Sequence, residues 1–127
     1  MKEFAFRAPT LYDASATASE KEKEAWHDAP GAADYGAKTK RFALWLKSEM
    51  VNKGLAANGP YADEGSWMID VPADGGGFSL CVLSGSGGDD QLFSLLVTEI
   101  GDAPKDVGDV IEDILRHARE ISELKVE

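Results

Sequence analysis

The residues of this sequence that could do chemistry are mainly carboxylates, and four of them stand as two adjacent pairs. The pairs are Asp63 with Glu64 and Asp89 with Asp90. Clustered carboxylates serve acid–base catalysis, cation coordination or the attraction of a basic partner. Asp74 is separated from the second pair by a predicted strand of roughly 20 Å, so it cannot act on the same atom. The four paired residues therefore form the acidic convergence that the sequence predicts.

The other reactive side chains are too few and too scattered for a known type of catalytic or metal site. One cysteine, Cys81, and two histidines, His27 and His117, lack the spacing of zinc ligands. Cys81 falls in the middle of a predicted strand, where a thiol is typically a small buried apolar group. The glycines and aspartates of 85–90 precede a strand, which disfavours phosphate binding at a helix N-terminus. We therefore predict no metal, no cofactor and no enzyme activity; a small enzyme that uses the paired carboxylates is a third hypothesis.

Three aromatic residues indicate an alternative function as a small-molecule binder. Trp45 lies on a predicted helix, whereas Trp67 and Phe78 lie on predicted strands. A pocket lined by these side chains between helix and sheet would suit a cationic amphiphile, because aromatic faces attract cations. Packing in the core is the competing interpretation for each of the three.

Charge and length restrict the classes of partner. The chain has 127 residues, a suitable length for a single domain over 1–127, and a net charge of −10. Up to Tyr61 it carries 9 basic and 8 acidic residues, whereas from Ala62 onward it carries 4 basic and 15 acidic residues. Because phosphate groups require a cationic surface, we predict that the protein binds neither nucleic acid nor an anionic membrane.

No segment of the sequence indicates export or membrane insertion. The longest apolar-rich run, 92–97, is far shorter than the roughly 20 residues that a membrane span needs. The residues that follow Met1 do not resemble a signal peptide. We therefore expect a cytoplasmic protein, in which a single thiol stays reduced.

Alternating apolar residues place the candidate residues on an antiparallel sheet. The segment 66–100 contains three strands separated by the turns 72–77 and 84–90, which predicts an antiparallel meander. Residues 3–7 alternate as well, as a short strand or an extended arm does. The two acidic pairs precede the first and third strands of the meander, so antiparallel pairing brings them to the same end of the sheet.

Two amphipathic helices are predicted to cover one face of this sheet. The first lies between a cap at Asp34 and a terminating glycine at Gly54. The second, at 107–124, carries an apolar stripe at helical spacing. The predicted fold class is α+β, with a three- or four-stranded antiparallel sheet, the meander 66–100, and helices packed on one face.

The segment 13–33 lacks an apolar stripe that could dock on the rest of the chain, and we predict that it is mobile. Within it, Ser19 and Glu22 have the spacing of a capping box, which predicts a short helix over 20–28. Pro30 and the glycine after it end this helix.

The hairpin of residues 63–71 and 78–82 resembles a pattern in small uncharacterised bacterial proteins. In that pattern an acidic strand led by Gly-Trp turns through Asp-Gly into a second strand, and some of these proteins are encoded in mobile or toxin-immunity loci. Here Ser66 precedes the tryptophan, and two extra glycines at 76–77 lengthen the turn. The resemblance extends to Ile100 and implies a binding role without catalytic residues.

The leading functional hypothesis is a non-enzymatic acidic module that binds a basic protein, as an immunity or adaptor protein does. It rests on the 4 basic and 15 acidic residues of 62–127 and on the lack of a catalytic constellation in the sequence. The predicted partner-binding residues are Asp63, Glu64, Asp89 and Asp90.

Overall fold

One six-stranded antiparallel sheet and three α-helices make up the part of the chain that the structure describes. This computed structural model describes residues 2–13, 15–17, 19–25, 32–63, 66–73, 75–84, 92–101 and 107–127. The strands are β1 (Lys2–Arg7), β2 (Asn58–Asp63), β3 (Ser66–Ala73), β4 (Gly76–Ser84), β5 (Leu92–Gly101) and β6 (Ser122–Val126). The helices are α1 (Glu20–Ala25), α2 (Ala32–Asn52) and α3 (Val107–His117), with a 3-10 turn at Pro9–Leu11.

The sheet has the strand order β2-β3-β4-β5-β1-β6, and all neighbouring strands run antiparallel. The predicted α+β class is confirmed, and β3, β4 and β5 form the predicted meander. The predicted number of three or four strands is wrong, because β2 and β6 extend the sheet at its two edges.

β2 forms where the Asn-Gly-Pro sequence at 58–60 predicts a loop. Tyr61 of β2 pairs with Met68 of β3. Proline lacks an N–H donor, and an edge strand tolerates this loss because only one of its sides is paired. The Lys47 side chain of α2 donates a hydrogen bond from Nζ to the carbonyl oxygen of Gly59 at 2.7 Å. A contact from a distant helix therefore stabilises a strand that the local sequence does not predict.

The predicted helix over 107–124 is wrong in its last part, because α3 ends at His117 and β6 follows. Leu124 and Val126 alternate with charged residues, and this short pattern fits a strand as well as a helix. β6 pairs antiparallel with β1, and Val126 lies opposite Phe4. Without β6, β1 would be an edge strand with an unpaired row of backbone groups.

An ion pair and a local irregularity characterise the pairing of β6 with β1. Arg7 Nε lies 2.6 Å from Glu123 Oε2, whereas helical spacing predicts that Glu123 pairs with Arg119. Glu123 has a φ of 54°, and the register shifts between Ala5 and Arg7. Such a bulge twists an edge strand and disfavours its pairing with a second chain.

α2 ends at the glycine that the sequence predicts. Gly54 has a φ of 87°, a conformation that glycine adopts without steric cost. The Leu55 N–H donates to the Met50 carbonyl at 3.0 Å, and the Gly54 N–H donates to the Val51 carbonyl at 2.9 Å. These two bonds form a Schellman motif, which satisfies carbonyl groups of the last helical turn.

The core lies between one face of the sheet and the helices. Phe93, Leu95 and Val97 of β5 point to this face and are at most 2% exposed. The Phe93 ring lies 4.9 Å from the Phe42 ring of α2 and 5.7 Å from the Phe6 ring of β1, measured between centroids. α3 contributes the buried residues Val107, Ile111, Ile114 and Leu115. These contacts place α2 and α3 on the same side of the sheet.

The opposite face of the sheet is not covered by any of the described helices. A row of side chains crosses this open face at one level of register, namely Tyr61, Met68, Cys81 and Leu96. Tyr61 is 44% exposed, and the other three are partly buried. The prediction that Cys81 is buried is therefore wrong, because alternation along β4 places Leu80 in the core and Cys81 on the open face.

The segment predicted to be mobile is described in part. The capping box is confirmed: the Ser19 N–H donates to Glu22 Oε1 at 3.0 Å, and the Glu22 N–H donates to Ser19 Oγ at 3.2 Å. The Asp13 N–H donates to the Lys38 carbonyl at 3.0 Å. Residues 14, 18 and 26–31 lie outside the described residues, and mobility of this segment remains a prediction.

Candidate partner-binding site at one end of the sheet

The two acidic pairs are flanked by strands that meet at one end of the sheet, where β2 and β4 end and β3 and β5 begin. β2 ends at Asp63, whose backbone pairs with Ser66 at the start of β3. β4 ends at Ser84, which pairs with Phe93 near the start of β5. Trp67, near the start of β3, lies directly opposite Val82, near the end of β4. The β2–β3 and β4–β5 connections therefore leave the sheet at the same end.

The four predicted partner-binding residues are the next point to locate in the structure. The Asp63 side chain and residues Glu64, Asp89 and Asp90 lie outside what the structure describes. The convergence of these four carboxylates therefore remains a prediction, supported by the position of the strand ends.

A cavity of about 360 Å³ lies beside the backbone of Asp63, between α1, α2 and the β2–β3 hairpin. We call it the Trp67 notch. It is lined by Ser19, Lys21, Glu22, Lys40, Tyr61, Ala62 and Trp67. Ala62 pairs with Trp67, and the next pair along the ladder is Asp63 with Ser66. The notch therefore adjoins the end of the sheet at which the acidic residues are predicted to meet.

The Trp67 indole forms a wall of the notch, and the ammonium group of Lys40 lies over its ring. Trp67 is 3% exposed, and the Lys40 Nζ lies 5.2 Å from the centroid of its ring. An ammonium at this distance is attracted by the negative face of the aromatic ring. Lys40 itself is half exposed, so water screens much of its interaction with nearby charges.

Glu22 places a buried carboxylate oxygen in the same notch. Its Oε1 accepts the hydrogen bond from the Ser19 N–H. Its Oε2 is buried, accepts no hydrogen bond and lies 3.8 Å from the Lys40 Nζ. A buried acceptor without a donor costs free energy relative to the hydrated group. The notch therefore offers an acceptor that a hydrogen-bond donor of a ligand could satisfy.

The sequence contains no pattern that identifies Glu22 or Lys40 as site residues. The capping box marks Glu22 only as part of a helix terminus. Lys40 is one of several basic residues on α2, and its spacing does not reveal that it reaches Trp67. Only the packing of α1 and α2 against the hairpin brings these two side chains together.

The three aromatic residues of the predicted pocket line separate depressions. Trp67 lines the notch, Trp45 a cleft of about 380 Å³ between α2 and α3, and Phe78 a depression of about 360 Å³ near the β3–β4 turn. Phe78 pairs with Val71, whereas Trp67 pairs with Val82. Trp67 and Phe78 thus lie at opposite ends of the β3–β4 ladder, and both belong to the core.

The cleft next to Trp45 is bordered by ion pairs within the chain. Lys53 Nζ lies 3.4 Å from Asp113 Oδ2, and His117 Nδ1 lies 3.1 Å from Asp113 Oδ1. The contact of His117 with Asp113 is the surface contact between residues four apart that their helical spacing predicts. Lys53, Asp113 and His117 are thus engaged with one another at the border of the cleft, which favours a structural role for these three side chains.

Two carboxyl groups outside the notch have pKa values below their ordinary values. Hydrogen bonds from Lys2 and Arg116 lower the pKa of Glu112, and the same contact with Glu112 raises the pKa of Lys2. Hydrogen bonds from the Ser15 hydroxyl and backbone lower the pKa of Asp13. Each shift has a local partner and needs no ligand.

Within the described residues, no three His, Cys, Asp or Glu side chains are grouped so that they could hold a metal ion. None of the described helices has both the length and the apolar character required to cross a membrane.

The geometry defines the class of this molecule: an α+β protein with an open-faced antiparallel sheet and a charged notch at one sheet end. Comparison with protein-family models, curated proteins and solved structures gives no match.

Proposed function

We propose that this protein is a non-enzymatic acidic binding module whose partner is a basic protein, of the immunity or adaptor type. The observation that carries the proposal is the register of the sheet, in which the connections after Asp63 and after Ser84 leave at one end. Those connections contain Glu64, Asp89 and Asp90.

Electrostatics supports a role in binding. Carboxylates gathered at one sheet end repel each other, and this repulsion lowers the stability of the fold. A cationic partner removes the repulsion, and a concentrated negative potential accelerates encounter with such a partner. The cost to the free protein is therefore offset in a complex.

Charge also favours a protein over a nucleic acid as the partner. The chain has a net charge of −10, which repels a phosphate backbone. The hairpin of residues 63–71 and 78–82 resembles a pattern in small bacterial proteins, some of them encoded in mobile or toxin-immunity loci, and this resemblance supports a binding role.

The test compares two double variants with the same change of charge. Asp89→Asn with Asp90→Asn alters the predicted binding end, whereas Glu99→Gln with Asp109→Asn alters two exposed carboxylates elsewhere. The parent protein is used to capture partners from the cells that encode it, and the captured protein is purified. Association and dissociation rates are then measured at low and moderate salt.

We expect a basic protein that associates several-fold more slowly with the first variant than with the control. We also expect the parent's association rate to fall as salt is added, because salt screens steering charges. Equal rates for the two variants, an acidic partner or no captured protein would contradict the proposal.

A second candidate function is the binding of a small cationic amphiphile. The contact of Lys40 Nζ with the Trp67 ring at 5.2 Å favours it, since the notch already accommodates a cation. Titration with dodecyltrimethylammonium below its micellar concentration tests this candidate. Saturable binding that Trp67→Phe weakens would support it, and binding that is unchanged in this variant would contradict it.

A further inference from the structure

We infer that the Trp67 notch accepts the guanidinium group of an arginine side chain of the partner. This inference rests on the proposed function and names the contact through which the partner is recognised. The group would donate a hydrogen bond to Glu22 and stack on Trp67, in the place that Lys40 occupies in the free protein.

Glu22 presents a buried hydrogen-bond acceptor to the notch. Glu22 Oε2 is within ion-pair distance of Lys40 Nζ, at 3.8 Å, but receives no hydrogen bond. A guanidinium carries five N–H donors in a fixed plane and is more weakly hydrated than an ammonium. It can therefore donate to Glu22 Oε2 and lose less hydration than a lysine would.

Trp67 forms an aromatic wall beside this acceptor. The Lys40 ammonium lies 5.2 Å from the centroid of the Trp67 ring, so a cationic group fits over this ring once Lys40 moves away. A guanidinium both attracts the ring electrostatically and stacks on it as a plane. The half-exposed Lys40 side chain can move into solvent at small cost, because exposed ion pairs contribute little.

Charged side chains surround the notch. Lys21 and Lys40 line it together with Glu22, so its own charge is slightly positive while Lys40 is in place. Movement of Lys40 into solvent leaves Lys21 and Glu22, so the formal charge of the lining falls to zero and Glu22 loses its nearest cation. The backbone of Asp63 follows the Ala62–Trp67 pair, so the notch adjoins the end of the sheet at which the acidic residues are predicted to meet. An arginine that approaches the acidic end thus finds an acceptor and a ring beside it.

The experiment titrates the protein with N-acetylarginine methylamide and follows the indole N–H resonance of Trp67 by NMR. The resonance is assigned by its loss in Trp67→Phe. N-acetylcitrulline methylamide is the neutral comparator, and tetramethylammonium is the cation that cannot donate a hydrogen bond.

Matched variants isolate the contribution of each contact. Glu22→Gln removes the charge while its amide oxygen still accepts the capping bond from Ser19. Glu20→Gln makes the same change of charge at an exposed position of the same helix. Lys40→Gln removes the resident cation, and Lys125→Gln removes a charge from the distant edge strand β6.

We expect Glu22→Gln to weaken binding of the arginine probe about tenfold, the loss of one hydrogen bond to a charged group. Glu20→Gln and Lys125→Gln should leave the affinity within about twofold. Lys40→Gln should strengthen binding several-fold, because the resident cation no longer competes.

Three results would overturn the inference. They are equal binding by Glu22→Gln and Glu20→Gln, equal binding of tetramethylammonium and the arginine probe, and an unshifted Trp67 resonance at saturating probe. The same Glu22→Gln variant is then tested against the purified partner. If it binds the partner like the parent while the Asp89 and Asp90 variant is slowed, the notch assignment fails and the proposed function stands.

Discussion

Leu95 and Leu96 are adjacent residues of β5 with the same side chain, yet they lie on opposite faces of the sheet. Leu95 is fully buried against the helices, whereas Leu96 is partly exposed on the open face beside Cys81. On the covered face each apolar group is surrounded by protein atoms. On the open face an apolar group keeps part of its contact with water. The apolar residues of β5 therefore do not by themselves indicate which face of the sheet is covered.

The largest expected effect tests the covered face. Leu95→Ala should lower the free energy of unfolding by about 2–5 kcal/mol, because it removes buried methyl groups and leaves a cavity. Urea unfolding followed by circular dichroism measures this change.

Leu96→Ala is the matched control for that experiment, since it makes the same substitution one residue further along β5. The expected loss is smaller, about 1–2 kcal/mol, because the side chain keeps part of its contact with water and its removal leaves no enclosed cavity. Equal losses of unfolding free energy for the two variants would show that the open face is covered in solution. They would contradict the assignment of Leu95 to a covered face and Leu96 to an open face.

An intermediate effect is expected at the rim of the open face. Gly77 has a φ of 149°, and a Cβ at this position would collide with the backbone carbonyl oxygen of Val71. We expect Gly77→Ala to cost about 2–3 kcal/mol, because it combines a backbone conformation reserved for glycine with a steric clash.

Gly54→Ala is the control for the glycine prediction. Gly54 also has a positive φ, of 87°, but no atom lies within 4 Å of an added Cβ. Its substitution should cost about 1 kcal/mol from the left-handed conformation alone. Equal losses of unfolding free energy at the two positions would contradict the clash with Val71.

The smallest expected effect concerns pH and the contact between β1 and α3. The pKa of Glu112 is lowered in the folded protein by hydrogen bonds from Lys2 and Arg116. The unfolded chain therefore binds this proton more readily, so the contribution to stability is present above the ordinary pKa of a glutamate. It is lost as the pH falls through the lowered pKa of the folded state.

Glu112→Gln makes this pH prediction measurable. Between neutral and acidic pH, the urea midpoint of the parent should fall slightly more than that of Glu112→Gln. The pKa of Lys2 is raised, so its contribution is present below the ordinary lysine pKa and lost as the pH rises through the raised value. Identical pH profiles for parent and variant would show that these contacts do not contribute in solution.

Features that depend on neighbouring residues were predictable from the sequence. The alternation of 66–100, the capping box of Ser19 with Glu22 and the terminating Gly54 all involve residues within a few positions of each other. Local backbone preferences and side-chain periods decide such features. The placement of the acidic connections at one sheet end follows from the same antiparallel meander.

Features that depend on distant partners were not predictable in this way. The alternation of Leu124 with Val126 is too short to exclude a helix, and only pairing with β1 makes β6 a strand. The Asn-Gly-Pro sequence of β2 resembles a loop, and its pairing with β3 and the hydrogen bond from Lys47 override that preference.

By itself, the sequence determined the α+β class, the meander and the excess of negative charge after Tyr61, because composition and short-range periodicity carry this information. The tertiary structure alone decided which face of the sheet is covered, how the two edge strands pair and which side chains meet in the notch. Glu22, Lys40 and Trp67 lie on three different elements. Their proximity follows from how α1 and α2 pack on the β2–β3 hairpin, a long-range arrangement that no local spacing encodes.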